Sequence, residues 1–411
     1  MTLSVRPKCW PLLWTELDLP YGPQSTPMNH TPISRIFLSA GEVSGDFHGS
    51  FLAKRICESC PSTEVIGIGG ERMKAAGVHI LWDFIGLSSI GLIESLLPGI
   101  RIALKLRGLK VYLRTHPVNM VILIDNQGMN IPIARIARKL NIPVVYYFPP
   151  QVSVWGKWNA RKLARMVDLI VCPFAKDAQI YKDAGGHAIY VGHPIKSIVR
   201  VDRSREKVTE SLYISTPYII GMFPGSRRQE IKRLFPVMLE TAQRIHGKRL
   251  VTFLIPVSSN VFLPMLQRIL LSYSRLNVVF VDQGDYNAYQ LCDCAIVASG
   301  TVTLELALLK IPVLVTYKMN IVSYLLAKAF VRGKYIALPN ILLEDELVPE
   351  LIQWDLNPDT LYHMVERILD NPDISLEKQN QFDRLSLLLG EGDPVGQTVD
   401  AILLVLERDR D

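Results

Sequence analysis

Short apolar runs alternate with amphipathic stretches along most of this chain. Buried-strand patterns recur at Arg35–Ala40, Glu64–Gly69, His79–Trp82, Asn119–Asp125, Val144–Phe148, Leu169–Pro173 and His187–Val191. Helical periodicity fills the intervals at Phe47–Ser59, Glu71–Ala76, Ile131–Leu140, Asn159–Met166 and Ala175–Ala184, with a helical pair over Leu87–Arg114 broken at Pro98-Gly99. The theme repeats further on, with strands beginning at Tyr218, Leu250, Asn277, Cys294 and Pro312 and helices between them. Strands alternating with helices at this spacing predict an α/β fold with mostly parallel sheets. The expected layout is two Rossmann-like, doubly wound domains facing a cleft. Residues 33–195 form the first domain, 196–217 a polar linker, 218–370 the second domain and 371–411 C-terminal helices that pack back on the first domain or on a partner subunit. In the last helix Val395, Val399, Ile402, Leu403 and Leu406 share one face. Residues 1–32 hold six prolines and no periodicity, and read as a poorly ordered extension.

Two turns carry the candidate chemistry. Cys294–Ala298 reads as a buried strand, Ser299-Gly300 as a small-residue turn, and Thr301 or Thr303 as the cap of the next helix, which Pro312 ends. Gly300 lets the backbone approach a ligand, the helix start favours an anion, and Glu305 lies one turn in, where a carboxylate accepts from a ribose hydroxyl. Any βαβ unit needs such a turn for structure alone. A second one follows the strand Tyr218–Phe223, however: Pro224-Gly225-Ser226-Arg227-Arg228-Gln229-Glu230. There Ser226 offers a cap, and Arg227 offers a fixed cationic fork suited to a diphosphate. Two such turns at the carboxyl ends of parallel strands converge on one crevice.

Composition narrows the partners. The 411 residues are 49% hydrophobic with mean hydropathy +0.19, yet no stretch is long and clean enough to span a bilayer. The formal charge of +6 suits an anionic partner such as a nucleotide or a phospholipid surface, and no basic run is interleaved with aromatics in the manner of nucleic-acid binders. Arg101, Lys105 and Arg107 share a helical stretch with Ile100, Ile102, Leu104 and Leu106, a pattern that fits contact with an anionic membrane. The competing reading is a packed helix with a solvated charged face. Ile321–Val331 is a second candidate surface. Cys57 and Cys60 have CxxC spacing without a second pair, so the six cysteines read as reduced thiols and no metal site is expected.

Several stretches, in order, resemble the lipid A disaccharide synthase family of glycosyltransferases. They are Ala40–Asp46 (AGEVSGD), Gly67–Met73 (GIGGERM), Gly91–Glu94, Ile124-Asp125, Ser153–Trp155, Val191–Pro194, Pro224–Glu230, Ala298–Thr301 and Leu338–Ile341. The resemblance runs from about Arg35 to the C-terminus. It implies a GT-B architecture, with the donor nucleotide mostly on the C-terminal domain and the acceptor mostly on the N-terminal one. It also implies transfer of 2,3-diacylglucosamine from its UDP derivative to the 6-hydroxyl of 2,3-diacylglucosamine 1-phosphate (lipid X), with inversion and without a metal or other cofactor. The setting implied is the cytoplasmic face of the inner membrane, with a homodimer in some members.

Carried onto this chain, the resemblance gives Asp125 as catalytic carboxylate, with Glu42 across the same cleft. Ser226, Arg227, Gly300, Thr301, Thr303, Glu305 and Asn340 fall on the donor side, and Ser44, Gly45, Asp46, Asn130 and Trp155 on the acceptor side. One departure stands out. The family often reads Ile-Asp-x-Pro-Asp-Phe-Asn, where this chain has Ile124-Asp125-Asn126-Gln127-Gly128-Met129-Asn130, so a second carboxylate is replaced by Gly128. A UDP-N-acetylglucosamine 2-epimerase and a catalytically weakened UDP-sugar binder are the alternatives.

Overall fold

The computed structural model describes residues 35–84, 96–155, 158–321, 324–325, 334–371, 373 and 377–408, with side chains except at 96–104, 154, 155, 158 and 408. The expectations for residues 1–32, for Gly91–Glu94 and for the side chains of Arg101 and Trp155 lie outside this set.

Two parallel sheets organise the chain. The first holds β1 (Arg35–Ala40), β2 (Glu64–Ile68), β3 (His79–Trp82), β4 (Met120–Ile124), β5 (Val144–Tyr147), β6 (Leu169–Cys172) and β7 (Ala188–Tyr190), in the order β3-β2-β1-β4-β5-β6-β7. The second holds β8 (Tyr218–Phe223), β9 (Val251–Val257), β10 (Val278–Asp282), β11 (Cys294–Ala298), β12 (Val313–Tyr317) and β13 (Glu350–Ile352), in the order β10-β9-β8-β11-β12-β13. Central strands covered on both faces must be apolar throughout. Accordingly every residue of β4 (MVILI) and β11 (CAIVA) is buried. The helices are amphipathic: Arg228–His246 buries Ile231, Leu234, Phe235, Met238, Leu239, Ala242 and Ile245 at helical spacing.

The strand order reverses direction between β1 and β4 and again between β8 and β11, the switch points where open α/β sheets bind ligands. Register sharpens this. Ala40 pairs with Ile124 and Phe223 with Val297, so in each sheet the two central strands end level and their following loops leave side by side.

Three expectations need correction. The helix after β1 begins at Val43, so Ser44, Gly45 and Asp46 sit in its first turn. Pro98 and Gly99 lie within the helix Leu96–Thr115 rather than at a break, and the upstream part of the expected helical pair lies outside the described residues. The stretch 196–217 is not an irregular linker: helices Ile195–Ile198 and Arg205–Ser211 form there, and Ile195, Val208 and Ile214 are buried among Phe174, Leu291 and Leu304. Over its described side chains, the basic amphipathic helix buries Leu109 and Leu113 and leaves Val111 exposed. Leu109 and Leu113 are core residues beside Phe84, whose ring also receives the Lys105 ammonium at 4.4 Å, while Arg107 stays exposed. The last helix, Pro394–Arg408, packs Val399, Ile402, Leu403 and Leu406 into the core of the first half, against the helix Val43–Ser59 and β6.

Candidate active site

Asp125 follows β4 with φ of +53°, and Asn126 after it has φ of +31°. Two successive non-glycine residues in the left-handed region are held only where their surroundings over-determine them. Here three hydrogen bonds do so. Asn130 Nδ2 reaches the Ile124 carbonyl at 2.9 Å and the Asp125 carbonyl at 2.8 Å, and the Tyr146 hydroxyl donates to the Asp125 carbonyl at 2.8 Å. Asn126 then caps the helix Gln127–Lys139 by accepting from Met129 N. The result is a rigid turn that delivers a half-buried carboxylate, and Ser44 Oγ fixes its orientation by donating to Oδ2 at 2.7 Å.

Asn130 is itself fully buried, with Oδ1 taken by Ser39 Oγ at 2.7 Å. It therefore acts through the backbone of Asp125 rather than by touching an acceptor. Asp46 is spent similarly. Its carboxylate accepts the N–H groups of Gly70 (2.6 Å), Arg72 (3.1 Å) and Met73 (3.1 Å), capping the helix Glu71–Ala75. Gly45 faces the sheet, where an added Cβ would stand 3.3 Å from the Ala40 Cβ and 3.4 Å from the Ile124 carbonyl oxygen. Replacing Asp46 by alanine strands three backbone donors, two of them buried. We expect about 2–4 kcal/mol of lost stability in urea unfolding; an unchanged midpoint would show that water replaces the carboxylate.

Glu42 ends the loop after β1 and reaches the second sheet, where it pairs with Arg227. Arg227 also bonds Glu230 Oε1 at 3.1 Å, and Glu230 Oε2 accepts the backbone N–H groups of Ser226 (3.0 Å) and Arg227 (3.2 Å). The cap of this helix is thus Arg227 with Glu230, not Ser226. Gly225, at φ +108°, admits the Glu230 carboxyl where a Cβ would collide with it. Burial raises the Glu42 pKa, opposed by the Arg227 charge and reinforced by Asp125 and Glu230. The Arg227 guanidinium is therefore held between the carboxylates of Glu42 and Glu230, and Glu42 in turn feels the charge of Asp125 at the switch point of the first sheet.

At the other donor-side turn, Thr301 occupies the cap position of Val302–Leu308 without a side-chain cap bond, and Thr303 Oγ1 donates back to the Gly300 carbonyl at 2.7 Å. Neither threonine caps through an accepting oxygen as expected. An added Cβ on Gly300 would meet nothing within 4 Å, so that backbone faces open space. Glu305 is buried, its Oε2 has no hydrogen-bond partner, and burial raises its pKa to about 7 against the attraction of Arg72. Asn340 is not available to a ligand. Fully buried, it donates to the Val348 carbonyl (2.7 Å) and Glu350 Oε1 (2.8 Å) and accepts from Leu347 N (2.9 Å) and Val348 N (3.0 Å), stapling the loop before β13.

Glu230 and Arg72 went without a role in the sequence reading. The capping-box signature in the sequence is Ser226 with Gln229, so the actual cap of Arg227 with Glu230 was not legible. Arg72 carried no such local signal.

Two doubly wound parallel sheets joined at their switch points by Glu42 and Arg227 make a GT-B arrangement, and comparison with known proteins agrees. Residues 36–389 match the family model described as lipid-A-disaccharide synthetase. The chain belongs to that family. It is 35% identical to the lipid-A-disaccharide synthase of Geobacter sulfurreducens over 347 residues, covering 84% of this chain and 90% of that one. Among solved structures, a UDP-GlcNAc 2-epimerase of Neisseria meningitidis bound to UDP-GlcNAc superposes with TM-score 0.57 at 12% identity, covering 91% of this chain and 99% of that one. A glycosyltransferase of Rickettsia africae gives TM-score 0.51 at 12% identity over 91% and 98%. At such identities these structures share the fold alone. Family membership makes this chain a glycosyltransferase of lipid A biosynthesis. Among the described residues, no helix is long and apolar enough to cross a membrane.

Proposed function

We propose that this protein transfers 2,3-diacylglucosamine from UDP-2,3-diacylglucosamine to the 6-hydroxyl of 2,3-diacylglucosamine 1-phosphate. The observation that carries the reading is the pairing of Arg227 with Glu42 across the two sheets, where the Glu42 carboxylate also feels the charge of Asp125. Asp125, held by Ser44 at Oδ2, takes the proton of the acceptor hydroxyl through its other oxygen. The acceptor oxygen attacks the anomeric carbon from the face opposite the departing UDP, forming the new C–O bond as the old one breaks, so the configuration inverts. Arg227 stabilises charge on the leaving diphosphate, with no metal needed for that role. Arrival of the diphosphate releases Arg227 from Glu42, which then lines the acceptor side beside Asp125. Glu305 receives the nucleoside hydroxyls, and Gly300 leaves room for the nucleotide. Exposed Ile321, Leu325 and Trp354 offer apolar surface for a peripheral contact with the bilayer that holds the acylated substrates.

The direct test combines both substrates with EDTA present and looks for the β-1,6-linked disaccharide 1-phosphate and UDP by mass spectrometry. Product sustains the proposal. UDP binding without product would favour the epimerase or the weakened binder. Arg227→Ala should weaken UDP binding by about 10- to 100-fold, the worth of charge-assisted hydrogen bonds to a diphosphate. Unchanged affinity in a calorimetric titration would remove Arg227 from the donor site.

A further inference from the structure

Arg72 belongs to the helix Glu71–Ala75 of the first sheet half, and Asp46 accepts its backbone N–H. Its guanidinium lies 5.0 Å from the centre of the Phe47 ring and crosses to the second half, where Nη2 donates to the Gln283 carbonyl. Around that crossing, three buried polar atoms lack a hydrogen-bond partner: Gln283 Oε1, the Tyr286 hydroxyl and Glu305 Oε2. Arg72 is the positive charge that favours the Glu305 carboxylate against burial; the Tyr286 hydroxyl lies close enough to lower its pKa as well, yet neither oxygen completes a hydrogen bond of good geometry. Tyr289 faces the same carboxyl, with its hydroxyl accepting from Gly284 N at 2.9 Å and Asp285 beyond it. Buried unmet polar atoms are rare in folded proteins, and a group of them marks a place completed by something else.

We propose that Arg72 is a positioning residue for the donor nucleotide, holding the Glu305 carboxylate of the opposite half charged and aimed at the nucleoside hydroxyls. The donor site is then complete only where the two halves meet, because its acceptor carboxylate depends on a cation from the other side. This rests on the assignment of Glu305 to the nucleoside and goes beyond it by giving Glu305 a partner. An ionised acceptor makes a stronger bond to a hydroxyl than a neutral acid does. Removing Arg72 raises the Glu305 pKa further above its position near 7, so the loss should be greatest just above that pH. It should shrink at pH 6, where the carboxyl is largely protonated in either case.

The test is calorimetric titration of the full chain with UDP at pH 6 and pH 8, with thermal unfolding as a check of folding. At pH 8 Arg72→Gln should weaken UDP by about tenfold, Arg72→Lys should recover most of that loss, and the effect of Arg72→Gln should largely vanish in a Glu305→Gln background. Equal loss at both pH values, or equal loss with and without Glu305, would overturn the proposal by showing that Arg72 acts on the nucleotide itself. Unchanged affinity in folded Arg72→Gln and Arg72→Lys would overturn it too. A wild-type chain that fails to bind UDP would sink the donor reading as a whole, an outcome distinct from additive variants of a chain that binds.

Discussion

Asp125→Asn should lower turnover by about 10²- to 10⁴-fold, the range spanned by a positioned general base, while leaving UDP affinity and fold in place. Structure is preserved because asparagine keeps an oxygen for Ser44 Oγ, which now donates to Asp125 Oδ2 at 2.7 Å. The left-handed backbone also survives the change, since asparagine tolerates φ of +53° as well as aspartate does. The carbonyl bonds from Asn130 and Tyr146 involve the main chain and are untouched. The substitution thus removes the proton acceptor and little else. Single-turnover formation of disaccharide and UDP titration measure the two halves of this expectation separately. Near-normal turnover would take Asp125 out of the chemistry and move attention to Glu42, the other cleft carboxylate, whose pKa burial raises.

The second large effect is acid destabilisation centred on His48. Its ring is buried, stacks on Phe148 at 4.1 Å between centroids and leaves Nδ1 without a partner. Burial alone pushes its pKa down to about 3 from an ordinary 6.5. His193 lies edge-on to it at 5.5 Å, with its pKa lowered by burial and by His48, and its Nδ1 accepts from Ile195 N at 3.1 Å. Both rings are neutral in the fold. The unfolded chain takes up protons below about pH 6.5 while the folded chain does not, so the stabilisation is complete above 6.5 and drains away as pH falls toward 3. Each pH unit between the folded and unfolded pKa values is worth about 1.4 kcal/mol, so His48 alone accounts for roughly 4–5 kcal/mol across that window. His48→Phe keeps the stack on Phe148 and should flatten much of the decline in urea-unfolding stability between pH 6.5 and about 4. A variant whose stability falls as steeply as wild type would place the acid sensitivity elsewhere. The cluster also matters for the site. His48 is on the helix Val43–Ser59 that carries Ser44, and His193 N donates to the Leu389 carbonyl at 2.8 Å, close to where the C-terminal segment turns back toward the first sheet.

Whatever depends on local periodicity was determined by the sequence alone. The strand Arg35–Ala40 was readable to the residue, because a central parallel strand covered on both faces reads as a mostly apolar run, and the half-buried edge strand His79–Trp82 was read to the same bounds. The two glycine-containing turns were readable for a related reason: a strand entering a helix needs small residues there. The ordered family motifs added the reaction class. Helix starts were read less well. Val43 and Gln127 begin their helices earlier than the apolar pattern does, since a first turn held by tertiary bonds needs no apolar face.

Separating residues that face the cleft from those spent on holding it took the tertiary structure. Asp46, Asn130 and Asn340 look as available as Asp125 in a one-dimensional motif. Yet their buried side chains are taken up by backbone and hydroxyl partners that lie distant in sequence as often as near. The same holds for the apolar face of the helix Leu96–Thr115 over its described part, which a sequence pattern offers equally to a membrane and to a core. Arg72 and Arg227 show the limit most clearly. A cation's partner is fixed by distance in space, and theirs, the Gln283 carbonyl and Glu42, lie about two hundred residues away along the chain. The sequence supplied the charges, and folding chose which of them meet.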